Sequence, residues 1–383
     1  MFMMPFYNLT NPHISRKLIE YRIKTLPGAI SKAKEFGYQG AFYAWESQED
    51  GLERCSKYNV TDPQTGEPIR TYFNEKQIHI DGAIVHAIDQ YVLTTGDISI
   101  LSDGGLSIIK ECAKFYMSYS KKESDGLYHL NDVIGPDEYH ERINDDAYTN
   151  YMAVETYKKA KKYLPIEDSM IPLLDDYVNH SYLPLPNEEG IIEQFNGYFE
   201  LEDAYPNNLL SRLRFPNEYW GGENGVATKT KVIKQADVVA LLSTLDIFNA
   251  DIEKKNYDYY EPHTEHGSSL SSSMHSILAS KLGYLDKAYE MFISSALIDI
   301  KGAKKQWAGG IYIGGTHPAS NGGAYMSVVY GFLGMKINEE GLIFNPHLPK
   351  QIKEIKLVYK YKGKQYLLIC NKKGLTTEEI NHV

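Results

Sequence analysis

The stretch Asp-Val-Ile-Gly-Pro-Asp-Glu-Tyr-His-Glu-Arg-Ile-Asn, Asp132 to Asn144, places two adjacent acids directly behind a Gly135-Pro136 turn. The proline ring fixes one backbone angle, so the turn can hold an acid stiffly. Tyr139 and His140 follow and can partly desolvate either Asp137 or Glu138. Desolvation raises a carboxyl pKa, and a raised pKa suits a general acid. Taken alone, however, the segment reads first as a solvated acidic turn. A second constellation is His-Thr-Glu-His-Gly-Ser-Ser-Leu-Ser, in which Ser268, Ser269 and Ser271 precede or open an apolar helical stretch. Hydroxyls and free N–H groups at a helix start can face one anion. Near residue 317, Gly-Gly-Thr-His-Pro-Ala-Ser-Asn-Gly-Gly-Ala-Tyr adds His317 as a donor, with Gly322-Gly323 allowing close backbone approach. The alternative is a Ser-capped helix and a glycine loop. No Gly-Lys-Ser/Thr follows, so this is not a Walker-type phosphate loop.

Other side chains suit polyhydroxylated ligands. Trp45 offers a stacking face, and Glu46, Lys234 and Gln235 offer donors and acceptors. Lys234 and Gln235 lead into an apolar helix, where capping or snorkelling is the plainer reading. His79 lies between isoleucines and reads equally as a core histidine, and Glu193 and Gln194 stay balanced between structure and function.

The elements that must position these groups are mostly helical up to about residue 335. Ile14, Leu18, Ile19, Ile23 and Leu26 recur at helical spacing; Pro27 interrupts the run and Gly37 stops it. Further helical stretches end near Gly96, follow Gly104-Gly105, begin at Asp145-Asp146, and run through Val232–Phe248, Ser269–Gly283, Leu285–Asp299 and Gly323–Gly334. Long segments rich in Gly, Pro, Asn and aromatics, 38–75, 121–144, 165–231, 251–267 and 300–322, read as loops. Loops of that length in a compact domain usually carry function. After Gly334 the pattern alternates, with Ile355, Leu357 and Tyr359, then Tyr366, Leu368 and Cys370, around a Tyr-Lys-Gly-Lys hairpin turn. Two strands are not stable alone, so this piece must lean on the helices.

Composition sets outer limits. The 383 residues are 43% hydrophobic and 23% charged, an ordinary globular balance with chain enough for a large core. A net charge of -10 argues against a nucleic acid as main partner. No apolar run reaches the roughly 18 residues of a membrane-spanning helix. Cys55, Cys112 and Cys370 are too far apart for a disulfide framework or a zinc pattern. The start, Met-Phe-Met-Met-Pro-Phe-Tyr, lacks signal-peptide features, so a reduced cytoplasm is the expected location.

Seven strings in order make the chain resemble glycoside hydrolase family 65, the inverting α-glucosyl disaccharide phosphorylases. They are the segment from Met4 into Trp45-Glu46-Ser47, then Lys-Gln-Ile-His-Ile at 76–80, Val-Ile-Gly-Pro-Asp-Glu-Tyr-His at 133–140, Ile-Ile-Glu-Gln-Phe at 191–195, Val-Ile-Lys-Gln-Ala-Asp-Val-Val at 232–239, the Ser268 string and the His317 string. The resemblance implies an all-α fold: an (α/α)6 toroid, here incomplete at its N-terminal end, over residues 1–334, and part of a C-terminal β-sandwich over 335–383. It implies phosphorolysis of an α-glucosyl disaccharide to β-glucose 1-phosphate and a free sugar. Glu138 would be the acid, Ser268, Ser269 and His317 would hold phosphate, and Trp45, Glu46, Lys234 and Gln235 would hold sugar. Inorganic phosphate would be co-substrate, with no metal or organic cofactor, and a homodimer is left open. An inverting hydrolase needs a second carboxylate to activate water, whereas phosphate is already a nucleophile. One lone acid plus an anion site is therefore the expected signature.

The chain also departs from the family. The family's Phe-Trp-Asp-Thr-like segment would precede Met4, and it supplies donors to the cleaved glucose. His263 stands where the family often has arginine, and Glu265 where a small residue is common. Glu265 pointing inward could activate water instead, which makes an inverting hydrolase the alternative; a sugar-binding remnant is another. The Ala-Trp-Glu-Ser-Gln-Glu-Asp-Gly loop looks less like maltose-type members than like those acting on kojibiose, nigerose, trehalose or glucosides of other acceptors.

Overall fold

Proline and glycine cut the chain into helices of moderate length. The computed structural model describes residues 1–301, 307–308, 311–312 and 315–380. Helices α1 (Met4–Thr10), α2 (Pro12–Lys24) and α3 (Leu26–Glu35) each carry a proline in the first turn, where a missing N–H costs nothing. Helix α4 (His79–Thr95) stops at Gly96, whose left-handed φ of 74° lets its N–H return to the Val92 carbonyl. Helix α5 is Leu106–Tyr119. Helix α6 (Ala147–Tyr163) starts at Asp146, which accepts from Thr149 N at 2.7 Å, and ends with Lys161 and Lys162 as the helix dipole prefers. Then come α7 (Ile171–His180), α8 (Asp237–Thr244), α9 (Ala250–His263), α10 (Ser271–Lys281), α11 (Leu285–Ala296) and α12 (Pro318–Met326). None is long and apolar enough to cross a membrane.

Packing arranges these helices in a cycle. Helix α1 touches α4, α4 touches α6, α6 touches α8, α8 touches α10, α10 touches α12, and α12 returns to α1. Outside them, α2 packs on α1 and α4, α5 on α4 and α6, α7 on α6, α9 on α8 and α10, and α11 on α10 and α12. Two large apolar clusters fill the wall, one around Ile88, Phe115 and Tyr157, the other around Ile192, Val239 and Tyr260.

Three expectations change. Residues 251–267, read as loop, are mostly α9. Its sequence carries little apolar signal because its buried face is Glu253, Asn256, Tyr257 and Tyr260, while Lys254–Asp258 and Lys255–Asp251 pair one turn apart on the surface. Helix α7 likewise interrupts 165–231. The β piece has three long strands rather than two: β1 (Glu354–Tyr361), β2 (Lys364–Asn371) and β3 (Gly374–Ile380), with β2 in the middle. Strand β3, Gly-Leu-Thr-Thr-Glu-Glu-Ile, is largely exposed and shows no apolar alternation, so only its pairing with β2 reveals it. The first hairpin turns at Lys362-Gly363, both with positive φ, as the Tyr-Lys-Gly-Lys reading requires. The sheet does lean on the helices: Tyr359, Leu368 and Cys370 share one cluster with Leu9, Val329 and Leu333.

The helix read from Gly323 onward starts earlier, at Pro318, so Gly322 as well as Gly323 lies within α12 rather than in a loop around an anion. A methyl on Gly323 would sit 2.5 Å from Ser273 Oγ and 2.7 Å from its Cβ; one on Gly322 would sit 2.4 Å from the Phe2 carbonyl oxygen. They let α12 close on α10 and on the start of the chain. Gly323→Ala gains about 1 kcal/mol of helix propensity but overpacks a contact worth about 1–3 kcal/mol. A net loss in denaturant-measured stability is expected; a gain would refute the close-packing account.

Candidate functional site

The turn at 135–138 crosses the ends of several helices, and each residue in it has a separate constraint. Gly135 has no room for a side chain, since a methyl there would lie 2.2 Å from Asp237 Oδ2. The Pro136 carbonyl accepts from the Gln235 amide. Asp137 is 1% exposed and both its carboxylate oxygens are engaged: Oδ1 accepts from Tyr139 N at 3.2 Å and Lys234 N at 2.8 Å, and Oδ2 from His140 Nδ1 at 2.6 Å. The other ring nitrogen of His140 donates to the Thr230 carbonyl at 2.9 Å. Tyr219 donates to the Glu138 carbonyl at 2.6 Å. Backbone and neighbour are thus fixed, and the Glu138 side chain is free to project.

It projects into a cavity of about 580 Å³ at one end of the helix cycle, walled by α1, α2, α4 and the starts of α6, α8 and α10. Glu138 is the single carboxylate on that wall among the described residues. Lys234 Nζ donates to its Oε2 at 2.5 Å and Gln77 Nε2 to its Oε1 at 3.3 Å. Burial holds the His79 imidazole down to about 3, so it is neutral. His79 Nε2–H then donates to Gln77 Oε1 at 3.2 Å, which turns the Gln77 amide N–H toward Glu138. The His79 ring meets Trp45 and Tyr148 edge-on, at 6.4 and 5.6 Å between centroids. Burial and the neighbouring Glu138 push Glu141 up to about 8, leaving that carboxyl uncharged at neutral pH.

Of the residues singled out from sequence, Trp45, His79, Glu138, Gln235, Ser268 and Ser271 line the cavity together. Lys234 reaches it through Glu138. Ser268 Oγ accepts from Leu270 N at 3.2 Å at the entry to α10, and Ser271 Oγ bonds His266 Nδ1 at 2.9 Å. Glu46 is exposed and Ser269 half-buried, and neither is on the cavity wall. His317 also stands off it, with Nδ1 2.7 Å from Asp299 Oδ1 and its backbone N–H on the same carboxylate. Gly314, at the head of that string, lies outside the described residues. Glu265 accepts from Tyr139 Oη at 3.0 Å, and His263 bonds Asp203 at 3.0 Å; neither lines the cavity. Gln194 accepts from Asp237 N at 3.2 Å and Glu193 from Gly197 N and Phe199 N at 3.2 Å, so both serve the backbone. Sequence reasoning missed Gln77, Tyr148 and Arg22. Arg22 borders the cavity, its guanidinium over the rings of Tyr21 and Tyr43 at 5.3 and 5.5 Å. Its position in an amphipathic helix gives no signal that it turns inward. Among the described residues, no group of His, Cys, Asp and Glu is arranged to hold a metal ion.

The Trp45 loop is held by Glu53, whose carboxylate accepts from the N–H groups of Trp45 at 2.8 Å, Glu46 at 3.1 Å and Cys55 at 3.0 Å, and from Lys32 Nζ at 2.6 Å. Burial opposes its charge, but Lys32 and these donors outweigh it and hold Glu53 below the usual glutamate value. Burial also lowers Lys32, yet its ammonium keeps Glu53, the Tyr43 carbonyl at 3.3 Å and the Phe42 ring at 3.6 Å. These contacts favour the charged pair. Glu53→Ala strands a buried ammonium and should cost about 3–5 kcal/mol. Because the Glu53 carboxyl is depressed, its contribution is present above the unfolded value of about 4.3 and is lost as pH falls. Denaturation curves of wild type and Glu53→Gln should therefore converge on acidification below about pH 4; curves that stay parallel would refute the charged clamp.

Residues 1–321 match the Glycosyl hydrolase family 65 central catalytic domain. Over 401 residues the chain is 46% identical to a nigerose phosphorylase of Lachnoclostridium phytofermentans, a match covering 99% of this chain and 53% of that protein. A 1,2-alpha-glucosylglycerol phosphorylase of Bacillus selenitireducens is 38% identical over 90% of this chain and 48% of its own length. A kojibiose phosphorylase of Halothermothrix orenii is 37% identical, with 94% and 48% covered. A solved structure described as a putative kojibiose phosphorylase from human microbiome shares the fold, with a TM-score of 0.85 at 24% identity over 99% of this chain and 55% of that one. The chain spans about half the length of the curated relatives it matches. By its match to the central catalytic domain and by these identities, the chain belongs to glycoside hydrolase family 65.

Proposed function

We propose that the chain carries the catalytic centre of an inverting phosphorylase of α-glucosyl disaccharides, with residues 1–334 as the catalytic unit and 335–383 as part of a β domain. The carrying observation is that Glu138 is the only carboxylate on the cavity wall among the described residues, with the Ser268 and Ser271 hydroxyls on the same wall. Among the described residues no second carboxylate is on that wall to activate water, and Glu265 accepts from Tyr139 off the wall. The relatives named above, all phosphorylases, support the same reading.

In this reading Glu138 gives its proton to the glycosidic oxygen as the bond to the anomeric carbon breaks. A phosphate oxygen attacks that carbon from the opposite face and inverts it. Monohydrogen phosphate brings one proton of its own, which returns to Glu138 and closes the balance. Ser268, Ser269 and His317 hold phosphate and Trp45, Glu46, Lys234 and Gln235 hold sugar; of these, Ser269, His317 and Glu46 stand off the cavity wall and must turn inward for that role. The Lys234 ammonium sits on Glu138. Sugar hydroxyls that take over this donor leave Glu138 free to carry its proton.

Nigerose, kojibiose and trehalose, each with phosphate, are the assay substrates, and glucose 1-phosphate is the product to measure. Release from none of them, or equal sugar cleavage without phosphate, overturns the reading. Glu138→Gln should lower the rate about 10²–10⁴-fold, the usual worth of a positioned acid. His317→Ala should raise the KM for phosphate about tenfold, the loss of one charge-assisted hydrogen bond of about 1.5 kcal/mol. An unchanged KM removes His317 from the phosphate site.

A further inference from the structure

Directly behind the turn lie two carboxyl groups with no part in the proposed chemistry. Asp146 and Asp237 are both 0% exposed. Asp146 caps α6, and its Oδ2 accepts from Thr149 N at 2.7 Å and Thr149 Oγ1 at 2.5 Å. Asp237 opens α8, and its Oδ1 accepts from Asp137 N at 2.6 Å. The remaining oxygens, Asp146 Oδ1 and Asp237 Oδ2, meet no N–H or hydroxyl donor among the described residues. Both crowd one point, since a methyl on Gly135 would lie 2.2 Å from Asp237 Oδ2 and 2.6 Å from Asp146 Oδ1.

Two buried carboxylates cannot share such a space with both charged; one keeps a proton. Asp146 is the better anion. It has two donors of its own and stands at the positive end of a 17-residue helix. Among the described residues Asp237 has one N–H or hydroxyl donor to its side chain, Asp137 N, and it lies near the Asp137 carboxylate. The proton therefore belongs on Asp237 Oδ2.

We propose that Asp237 is a neutral carboxylic acid at neutral pH, donates Oδ2–H to Asp146 Oδ1, and with Asp146 positions the turn that presents Glu138. This bond joins the start of α6 to the start of α8, and the other Asp237 oxygen holds Asp137 in place. Glycine at 135 lets the turn lie flat on the pair. Asp146 and Asp237 are positioning residues; their effect on rate rests on Glu138 being the acid, but their shared proton does not. Burial raises both carboxyls, while the bond between them raises Asp237 and lowers Asp146. The other titratable groups around the pair are the Asp137 carboxylate with His140 behind it and the hydroxyls of Tyr148, Tyr198 and Tyr260.

An acid raised on folding makes the folded state hold a proton that the unfolded chain releases above about pH 4, so wild-type stability falls as pH rises from there. Asp237→Asn supplies an N–H in place of the O–H and removes that titration. Thermal melts of the full chain should show Asp237→Asn gaining on wild type steadily from pH 5 to pH 8. Infrared spectra at neutral pH should show protonated carboxylic acid absorption, part of it from Glu141, and wild-type-minus-variant differences should show a loss of such absorption in both Asp237→Asn and Asp146→Asn. Parallel melting profiles, or no such loss, overturn the proposal whether or not the chain is a phosphorylase. For turnover, Asp237→Ala should lower kcat about a hundredfold through misplacement of Glu138, and Asp237→Asn should recover most of it. Equal loss in the two variants would sink the positioning role.

Discussion

Both carboxylate oxygens of Asp137 are held by donors. Two backbone N–H groups and an imidazole converge on its buried carboxylate, and one of those N–H groups comes from Lys234, about a hundred residues further along the chain. Because His140 is itself anchored on the Thr230 carbonyl, the 137–140 turn and the 230–235 segment are tied at two points. That tie brings the Lys234 ammonium to Glu138 and the Gln235 amide to Pro136. Breaking it would leave a buried carboxylate unsatisfied, a cost large enough to hold the geometry. Adjacent acids thus take opposite roles: one carries the turn, the other faces the cavity.

The helix cycle supplies what the turn cannot. Cavity walls of Ile80, Ile84, Ala240 and Met274 exclude water and strengthen every charge interaction inside. Neutral His79 orients Gln77, and Gln77 orients Glu138, so a short relay of hydrogen bonds reaches from the apolar wall to the acid. The Trp45 loop enters from the other side on the Glu53–Lys32 clamp. Both arrangements use buried polar groups with their partners supplied, which is the condition for rigidity rather than instability.

Much of the architecture was legible because its signals are local. Proline in first turns, Gly96 at a helix end, Asp146 at a helix start and Lys362-Gly363 in a hairpin act over a few residues. Helix α9 and strand β3 were not legible in this way. The first buries glutamate, asparagine and tyrosine where apolar residues would give a periodic signal, and the second is too exposed to alternate. Gly322-Gly323 misled for a related reason: glycine permits close approach, and only packing shows that the approaching group is a neighbouring helix.

The motif strings by themselves determined that a stiff turn carries an acid, that serines precede α10, and which family the chain resembles. They could not decide between Asp137 and Glu138 on physical grounds, since one residue separates them and both are acids. Nor could they reveal Gln77 and Arg22 at the cavity, Glu265 turned away from it, or a carboxyl pair beneath Gly135. Those outcomes depend on which donors from distant segments reach each oxygen. Hydrogen bonds between residues a hundred positions apart are made only when the helix cycle closes, and so only the tertiary structure assigns them.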